Sequence, residues 1–211
     1  MISEYPKIIF ELQKFYLINE NRMLSTTETL QKNMLASIEA KQRFLLLNEQ
    51  LSIFDKAVNA VVDRYRLGGR LYIAGNGGSA ADAQHLAAEF VSKLARDRAP
   101  LAAEALTVDS SILTAIGNDY GYDQVFSRQI AGKMTNKDIF LGITTSGQSP
   151  NILNALETCR QMSIPTIVFT GRDGGAASAK ADYCIVSPGD MTSTIQEIHI
   201  VLAHTLCECV E

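Results

Sequence analysis

The amino-acid sequence predicts an α/β protein, in which a five-stranded parallel sheet is flanked by helices and preceded by a helical extension. Up to residue 67 the chain contains no glycine and a single proline, Pro6. From Gly69 onward, short apolar segments alternate with helical patterns. Strands separated by helices form βαβ units, which cover both faces of a parallel sheet. The composition, 46% hydrophobic and 20% charged, is typical of a globular domain.

The first part of the chain has apolar residues at spacings of three and four, which is typical of amphipathic helices. This pattern predicts helices at 6–22, 25–47 and 48–67. Thr26-Thr27 are candidates to cap the second helix, and Gly68-Gly69 predict the end of the third.

The rest of the chain alternates between strand and helix patterns. The candidate strands are 70–74, 102–107, 138–143, 165–170 and 183–187. The candidate helices are 79–95, 109–117, 122–133, 150–162, 173–180 and 191–210. Ligands of parallel sheets bind at the carboxyl ends of the strands, so the loops that follow the strands are the place to look for a site.

The charge and the termini exclude several classes of partner. With 19 Lys and Arg against 23 Asp and Glu, the net charge of −4 does not indicate a nucleic-acid or membrane surface. No apolar run is long enough to span a bilayer, and the first residues lack the pattern of a signal peptide. The four cysteines do not form a metal framework. We therefore expect a cytoplasmic protein with neither nucleic-acid nor membrane partners.

The loop after the first strand, Gly75-Asn-Gly-Gly-Ser79, leads into a helix. Glycines allow backbone N–H groups to approach a polar ligand closely. Ser79 is a candidate N-cap, with Asp82 as its partner in a capping box. The spacing matches neither a dinucleotide fingerprint nor a P-loop, so no nucleotide cofactor is expected. The alternative is a tight turn without a ligand.

Three histidines, one glutamate and one glutamine lie on predicted helices and are candidates for a reactive site. His85 and Glu89 are four residues apart and share one helix face. Gln196 and His204 lie on the last helix, about 80° apart around its axis. These four residues fit either an acid–base cluster or a divalent metal site, although glutamine is an unusual zinc ligand. His199 is expected to be a packing or surface histidine.

The loop after the third strand is rich in hydroxyls and opens another helix at Ser149-Pro150, the predicted N-cap and first helical residue. The positive end of the helix dipole favours a phosphate there. The hydroxyl residues are Thr144, Thr145, Ser146 and Ser149. Capping alone is the alternative. A further polar stretch, 117–122, predicts a turn, in which Asn118 and Asp119 would bind hydroxyls if the ligand is a sugar.

Several of these motifs, taken together, resemble one family. They are Ala74–Glu89, Ile112–Tyr122, Thr144–Ser149, Thr170-Gly171 with Gly174-Gly175, and Ile195–His199 with His204. From about residue 36 to 210 the chain resembles the sugar isomerase (SIS) domain family, and within it the phosphoheptose isomerases. The resemblance implies one flavodoxin-like, three-layer SIS domain over 68–211, with 1–67 as N-terminal helices that pack on it and mediate oligomerisation.

The resemblance also implies an activity. It is the aldose–ketose isomerisation of D-sedoheptulose 7-phosphate to D-glycero-D-manno-heptose 7-phosphate through an enediol, the first step of ADP- or GDP-heptose biosynthesis. Glu89 would be the general base and His204 the general acid. The implied substrate-binding residues are Asn76, Gly77, Gly78, Ser79, Glu89, Asn118, Asp119, Thr144, Thr145, Ser146, Ser149 and Gln196.

The family further implies a metal and an assembly. Its metal-binding members hold zinc, here expected as one ion per subunit, at the positions of His85, Glu89, Gln196 and His204. The family forms homotetramers with sites at subunit interfaces, and its product serves lipopolysaccharide, capsule or activated heptose.

The chain departs from the family's pattern at two positions, and two other functions compete with the implied one. Lys93 stands where arginine is usual, and Thr194 replaces a residue that is often basic. One rival is a non-catalytic SIS protein of the replication-initiator-associating type, which lacks the paired glutamate and histidine. The other is an isomerase of a different phosphosugar.

Overall fold

A computed structural model describes residues 24–211, and its centre is a five-stranded parallel sheet. The strands are β1 (Leu71–Gly75), β2 (Ala103–Ala105), β3 (Ile139–Thr144), β4 (Thr166–Gly171) and β5 (Tyr183–Ser187). Their order is β2-β1-β3-β4-β5, which is the flavodoxin-like arrangement. The predicted fold class is confirmed, and the order reverses between β1 and β3, where such sheets bind ligands.

Seven α-helices surround the sheet in the described part of the chain. They are α1 (Thr26–Leu45), α2 (Asn48–Arg66), α3 (Gly78–Val91), α4 (Ser110–Tyr120), α5 (Ser127–Lys133), α6 (Pro150–Gln161) and α7 (Thr192–Val210). The predicted helix at 6–22 lies outside the described residues. No described helix is long and apolar enough to cross a membrane.

The helix predicted at 173–180 is wrong. Only a single 3-10 turn, Gly175–Ala177, forms there. Gly174 and Gly175 adopt positive φ angles of 84° and 54°, which a right-handed helix does not accommodate.

The three central strands, β1, β3 and β4, are buried along their whole length, which explains why they are mainly apolar rather than alternating. In β1, Leu71 and Ile73 pack with α2, α3 and α7, while Tyr72 and Ala74 pack with α5 and α6. The chain therefore forms three layers. Helix α1 joins the first of these cores through Ala40 and Phe44.

The helix ends correct one prediction and confirm another. Helix α1 is capped by Ser25, not by Thr26-Thr27, because Glu28 stands three residues after Ser25 and completes a capping box with it. Helix α2 ends at the predicted glycines: the N–H of Gly68 (φ 75°) donates to the carbonyl of Tyr65 at 2.9 Å.

The N-terminal helices pack directly on the sheet domain. The backbone N–H of Val186 in β5 donates to Oε1 of Gln50 in α2 at 2.7 Å. Helix α1 contacts α7, where Glu197 accepts hydrogen bonds from Ser37 and, at 3.1 Å, from Lys41. The division of the chain at residues 67 and 68 remains a prediction.

Candidate active site

The loop between β1 and α3 contains two glycines, Gly75 and Gly78, that lie close to neighbouring atoms. A Cβ on Gly75 would stand 2.5 Å from the carbonyl oxygen of Ser79, and one on Gly78 would stand 2.6 Å from Nε2 of Gln196. Gly77 has a φ of 57°, which favours glycine. The chain therefore turns sharply here and brings the start of α3 against α7.

The predicted cap of this helix is wrong. Helix α3 begins at Gly78, its N-cap is Gly77, and no side chain caps it. Ser79 lies inside the first turn, is buried, and donates its N–H to the carbonyl of Asn76 at 3.0 Å. The N–H groups of Ala80 and Ala81 donate to the carbonyl of Gly77 at 3.0 and 3.3 Å, so the start of α3 is closed by backbone groups and no side chain caps it.

Asn76 is fixed by its neighbours. It exchanges two amide hydrogen bonds with Asn151, at 2.9 and 2.8 Å, and its Oδ1 accepts a third from the Tyr122 hydroxyl at 3.3 Å. Neither Asn151 nor Tyr122 was predicted from the sequence to be a site residue. Asn151 follows Ser149-Pro150 directly, so its place beside the loop after β3 was the only signal for it.

The loop after β3 is held by its own hydroxyls and by a neighbouring turn. Thr144 Oγ1 and Ser149 Oγ are 3.0 Å apart, and Ser146 Oγ accepts the N–H of Gln148 at 3.2 Å. Ser149 is the N-cap of α6 as predicted, but its hydroxyl bonds to Thr144 and makes no capping hydrogen bond. Thr145 is partly exposed beside them.

Gly147 is the point where this loop meets the turn after β4. Its φ is 64°, and a Cβ there would stand 2.0 Å from the carbonyl oxygen of Gly174. The carbonyl of Gly147 also accepts the N–H of Ala177 at 3.0 Å. We call residues 144–149 the hydroxyl loop. Its backbone is supported from behind by the turn at Gly174.

His85, Glu89 and His204 converge, and we call these three residues the His/Glu cluster. Nε2 of His85 is 3.1 Å from Oε1 of Glu89 and 3.1 Å from Nε2 of His204. The side chain of His85 is 47% exposed and that of Glu89 is 21% exposed, so a small molecule has access to both. The cluster combines a carboxylate with two imidazoles, which suits proton transfer.

The same cluster offers a plausible donor set for a metal. One ligand atom from each of the three residues lies within 4.8 Å of the others. Two imidazole nitrogens and one carboxylate oxygen are a known combination for catalytic zinc. The predicted fourth ligand, Gln196, has its amide against Gly78, which lies about two helical turns before His85.

Asp82 does not form the predicted capping box with Ser79. Its Oδ2 is buried and has no hydrogen-bond partner within the described chain. Burial raises the pKa of the Asp82 carboxyl, and the nearby His85 opposes this effect.

Asn118 and Asp119 lie in the last turn of α4, so the predicted turn over 117–122 is partly wrong. The helix continues to Tyr120 and stops before Gly121, whose φ is 91°. Both side chains are exposed, and Asn118 donates to Oδ1 of Asp119 at 2.7 Å.

His199 is a packing histidine, one of the two roles expected for it. It is fully buried, and its Nε2 is 3.0 Å from the carbonyl oxygen of Thr170 at the end of β4. Burial lowers the pKa of His199 from 6.5 to about 4, while the Thr170 carbonyl opposes the shift.

The two departures from the family's pattern occupy different surroundings. Lys93 is half-exposed and pairs with Asp97 at 3.6 Å. Thr194 is buried and packs beside Gly189, so a basic side chain at this position would meet the protein interior.

Comparisons with known proteins agree with this architecture. The SIS domain family model matches residues 33–171. Phosphoheptose isomerase of Aneurinibacillus thermoaerophilus is 46% identical over 182 residues, which cover 86% of this chain and 92% of the relative. Phosphoheptose isomerase 2 of Campylobacter jejuni is 48% identical over 175 residues, covering 83% and 87%.

Solved structures give the same result. The phosphoheptose isomerase of Neisseria gonorrhoeae superposes with a TM-score of 0.82 at 39% identity, covering 88% of this chain and 98% of that one. The enzyme of Francisella tularensis gives a TM-score of 0.84 at 34% identity, covering 89% and 98%. These matches do not favour the non-catalytic alternative. The chain belongs to the SIS domain family and, within it, to the phosphoheptose isomerases.

Proposed function

We propose that this protein isomerises D-sedoheptulose 7-phosphate to D-glycero-D-manno-heptose 7-phosphate. The observation that carries the proposal is the His/Glu cluster, in which a carboxylate lies 3.1 Å from one of two facing imidazoles. Aldose–ketose isomerisation needs a base for a carbon-bound proton and a second group for the oxygens, and this cluster supplies both.

The proposed reaction moves one proton between carbons and one between oxygens. Glu89 removes a proton from C1 of the ketose, and the electron pair of that bond forms the C1–C2 double bond of an enediol. His204 gives a proton to the C2 oxygen and takes one from the C1 hydroxyl. Glu89 then returns its proton to C2, which completes the aldose and restores both side chains.

The hydroxyl loop is the proposed phosphate site. Thr144, Thr145, Ser146 and Ser149 surround the start of α6, where the helix dipole favours negative charge. Asn76, with the N–H groups at Gly77 and Gly78, would bind the sugar near C1 and C2. Asn118 and Asp119 are proposed to contact the hydroxyls of the chain between these ends.

Zinc is proposed as the metal, with one ion per subunit held by His85, Glu89, His204 and Gln196, although a carboxylate that zinc holds tightly is not at the same time a free base. Its donor chemistry fits the two imidazoles and the carboxylate of the cluster. Bound there, zinc would act as a Lewis acid that polarises the substrate carbonyl. Metal analysis of the purified protein and of His85→Ala tests this, and equal zinc content in both would reject His85 as a ligand.

A homotetramer with its sites between subunits is the proposed assembly. Large apolar side chains on α1 and just after it are exposed on one chain, and burial against other subunits would explain them. They are Leu30 (62% exposed), Met34 (57%), Leu45 (67%) and Leu46 (78%). Light scattering of the purified protein measures the mass, and a monomer would reject this assembly.

The proposed setting is the cytoplasm, in the supply of heptose for lipopolysaccharide, capsule or activated heptose. All four cysteines are free thiols, as in proteins of a reducing compartment.

The direct test is turnover of sedoheptulose 7-phosphate by purified protein, with and without added zinc, followed by detection of the aldose product. A panel of other phosphosugars is assayed in parallel. If only a different phosphosugar is turned over, the alternative function, isomerisation of that sugar, would be supported. A well-folded protein that turns over none of them would overturn the enzymatic proposal.

A further inference from the structure

A second polar network lies at the carboxyl ends of α3 and α7, beyond the His/Glu cluster. The carboxylate of Glu211 accepts three consecutive backbone N–H groups, from Leu94 at 2.9 Å, Ala95 at 2.9 Å and Arg96 at 3.0 Å. Its side chain is 0% exposed. Such a run of N–H groups is an anion-binding concavity, here filled by the protein's own carboxylate.

Arg98 connects the Glu211 carboxylate to the backbone of α3, the helix that carries Glu89. Its Nη2 is 2.9 Å from Oε1 of Glu211, and its side chain is only 12% exposed. The same guanidinium donates to the carbonyl of Glu89 at 3.1 Å and to that of Phe90 at 2.8 Å.

These carbonyls belong to the last turn of α3, where a helix has no internal donors for them. A guanidinium at this end satisfies the carbonyls and also matches the negative end of the helix dipole. The residue whose carbonyl is bound, Glu89, is the proposed base. Since Glu211 follows α7, which carries His204, the network ties the backbone of the base to the helix of the acid.

We propose that Arg98 and Glu211 are positioning residues, which hold Glu89 at the working distance from His204. This inference rests on the proposed isomerase function. The low pKa of the Glu211 carboxyl, at about 2, agrees with the network: the Leu94 N–H is the largest cause, and the N–H groups of Ala95 and Arg96 and the charge of Arg98 add to it. The carboxylate is therefore charged whenever the enzyme works.

The test compares Glu211→Gln with Glu208→Gln. Glu208 is exposed in the last turn of α7, just before Glu211, so its variant removes the same charge without touching the network. We expect kcat of Glu211→Gln to fall about tenfold with KM within threefold, since small misplacements of reacting groups are costly in rate. Glu208→Gln should match the wild type. Equal kcat in both variants would overturn the proposal.

A double-mutant cycle that combines Glu211→Gln with Arg98→Lys separates a shared effect on the position of Glu89 from two independent losses of structure. If both residues act on Glu89 through one network, the double variant loses no more kcat than the worse single variant. Multiplying losses would indicate two independent structural effects and reject the proposal. Hydrogen exchange at the amides of residues 94–96 should accelerate in Glu211→Gln but not in Glu208→Gln, and unchanged exchange would also count against the network.

The two proposals fail in different ways. An active wild type whose Glu211→Gln variant keeps its kcat rejects the positioning role alone. A folded wild type without turnover rejects the isomerase, and the positioning role with it.

Discussion

The hydroxyl loop follows β3 at the carboxyl ends of the strands, whereas the His/Glu cluster lies between α3 and α7, and the two are built differently. The shape of the hydroxyl loop is set by its backbone, because Gly147 packs against Gly174. Two hydroxyls of the loop, those of Thr144 and Ser149, also bond to each other. The cluster is made of side chains from two helices, and its members are partly exposed. We infer that the loop binds and the cluster reacts. Substitutions in the hydroxyl loop should therefore raise KM, and substitutions in the His/Glu cluster should lower kcat.

The largest effect is expected for Glu89→Gln. An amide keeps the shape but does not accept the C1 proton, so kcat should fall by about 10³-fold, within the usual contribution of a general base. KM and the melting temperature should stay near those of the wild type. Steady-state kinetics and thermal unfolding measure both. A variant that keeps its kcat would remove Glu89 as the base and break the contrast between the two regions.

Gly147→Ala is the corresponding test of the hydroxyl loop. A Cβ would be 2.0 Å from a backbone oxygen, at a φ of 64° that costs an L-residue about 1–2 kcal/mol. The loop must shift, so we expect KM to rise about tenfold or more, with a smaller change in kcat. Gly132→Ala is the matched control, because a Cβ there meets nothing within 4 Å. If kcat falls while KM stays constant, the loop does more than bind.

The sequence predicted the hydroxyl loop better than the His/Glu cluster, and the reason is locality. Ser149 and Pro150 mark a helix start within a few residues, so the loop's position followed from local rules. The cluster joins α3 to α7, more than a hundred residues apart in the chain. Spacing placed His85 beside Glu89 on one helix, and residue type made His204 a candidate partner, but no local rule showed that the two helices meet.

The predictions that were wrong also failed because they relied on local patterns alone. Ser79 is a good capping residue by type, yet Gly77 holds the N-cap position, because the chain turns so tightly that Ser79 falls inside the helix. The helix predicted at 173–180 failed because two glycines with positive φ form the turn that supports Gly147. Likewise, Arg98 and Glu211 have no local pattern, since their partners are backbone groups of another segment. Tertiary contacts decided each case.

His199 packs between elements that lead to the two regions, and it makes the stability of the folded protein sensitive to acid. It connects α7, which carries His204, to the end of β4, which leads into the turn behind the hydroxyl loop. Its pKa is about 4 in the folded protein and near 6.5 when unfolded, so only the unfolded chain takes up the proton between these values. The stability that His199 contributes is therefore complete above about pH 6.5 and is lost as pH falls to 4.

This loss amounts to about 3 kcal/mol of unfolding free energy by pH 4, at 1.36 kcal/mol for each pKa unit. Urea unfolding at pH 7 and at pH 4.5 measures most of it. His199→Gln keeps a donor for the Thr170 carbonyl but does not titrate, so its stability should change less between the two pH values. An identical pH dependence in both proteins would show that another group dominates.

The smallest effect is expected at Asn76, which lies in the β1–α3 loop and bonds to Asn151 in α6. The Tyr122 hydroxyl donates to Asn76 Oδ1 at 3.3 Å, and Tyr122 is 62% exposed. Asn76 keeps its two hydrogen bonds to Asn151 when this hydroxyl is removed, so Tyr122→Phe should cost at most about 1 kcal/mol and change KM less than fivefold.

Tyr120→Phe is the control for this contact. Tyr120 is 55% exposed, and its ring faces Arg128 at 3.6 Å from the guanidinium carbon, an interaction that a phenylalanine retains. The control should match the wild type in KM and kcat. If Tyr122→Phe lowers kcat without raising KM, Asn76 acts together with the reacting groups of the His/Glu cluster. The β1–α3 loop would then belong to the part of the site that reacts and not to the part that binds.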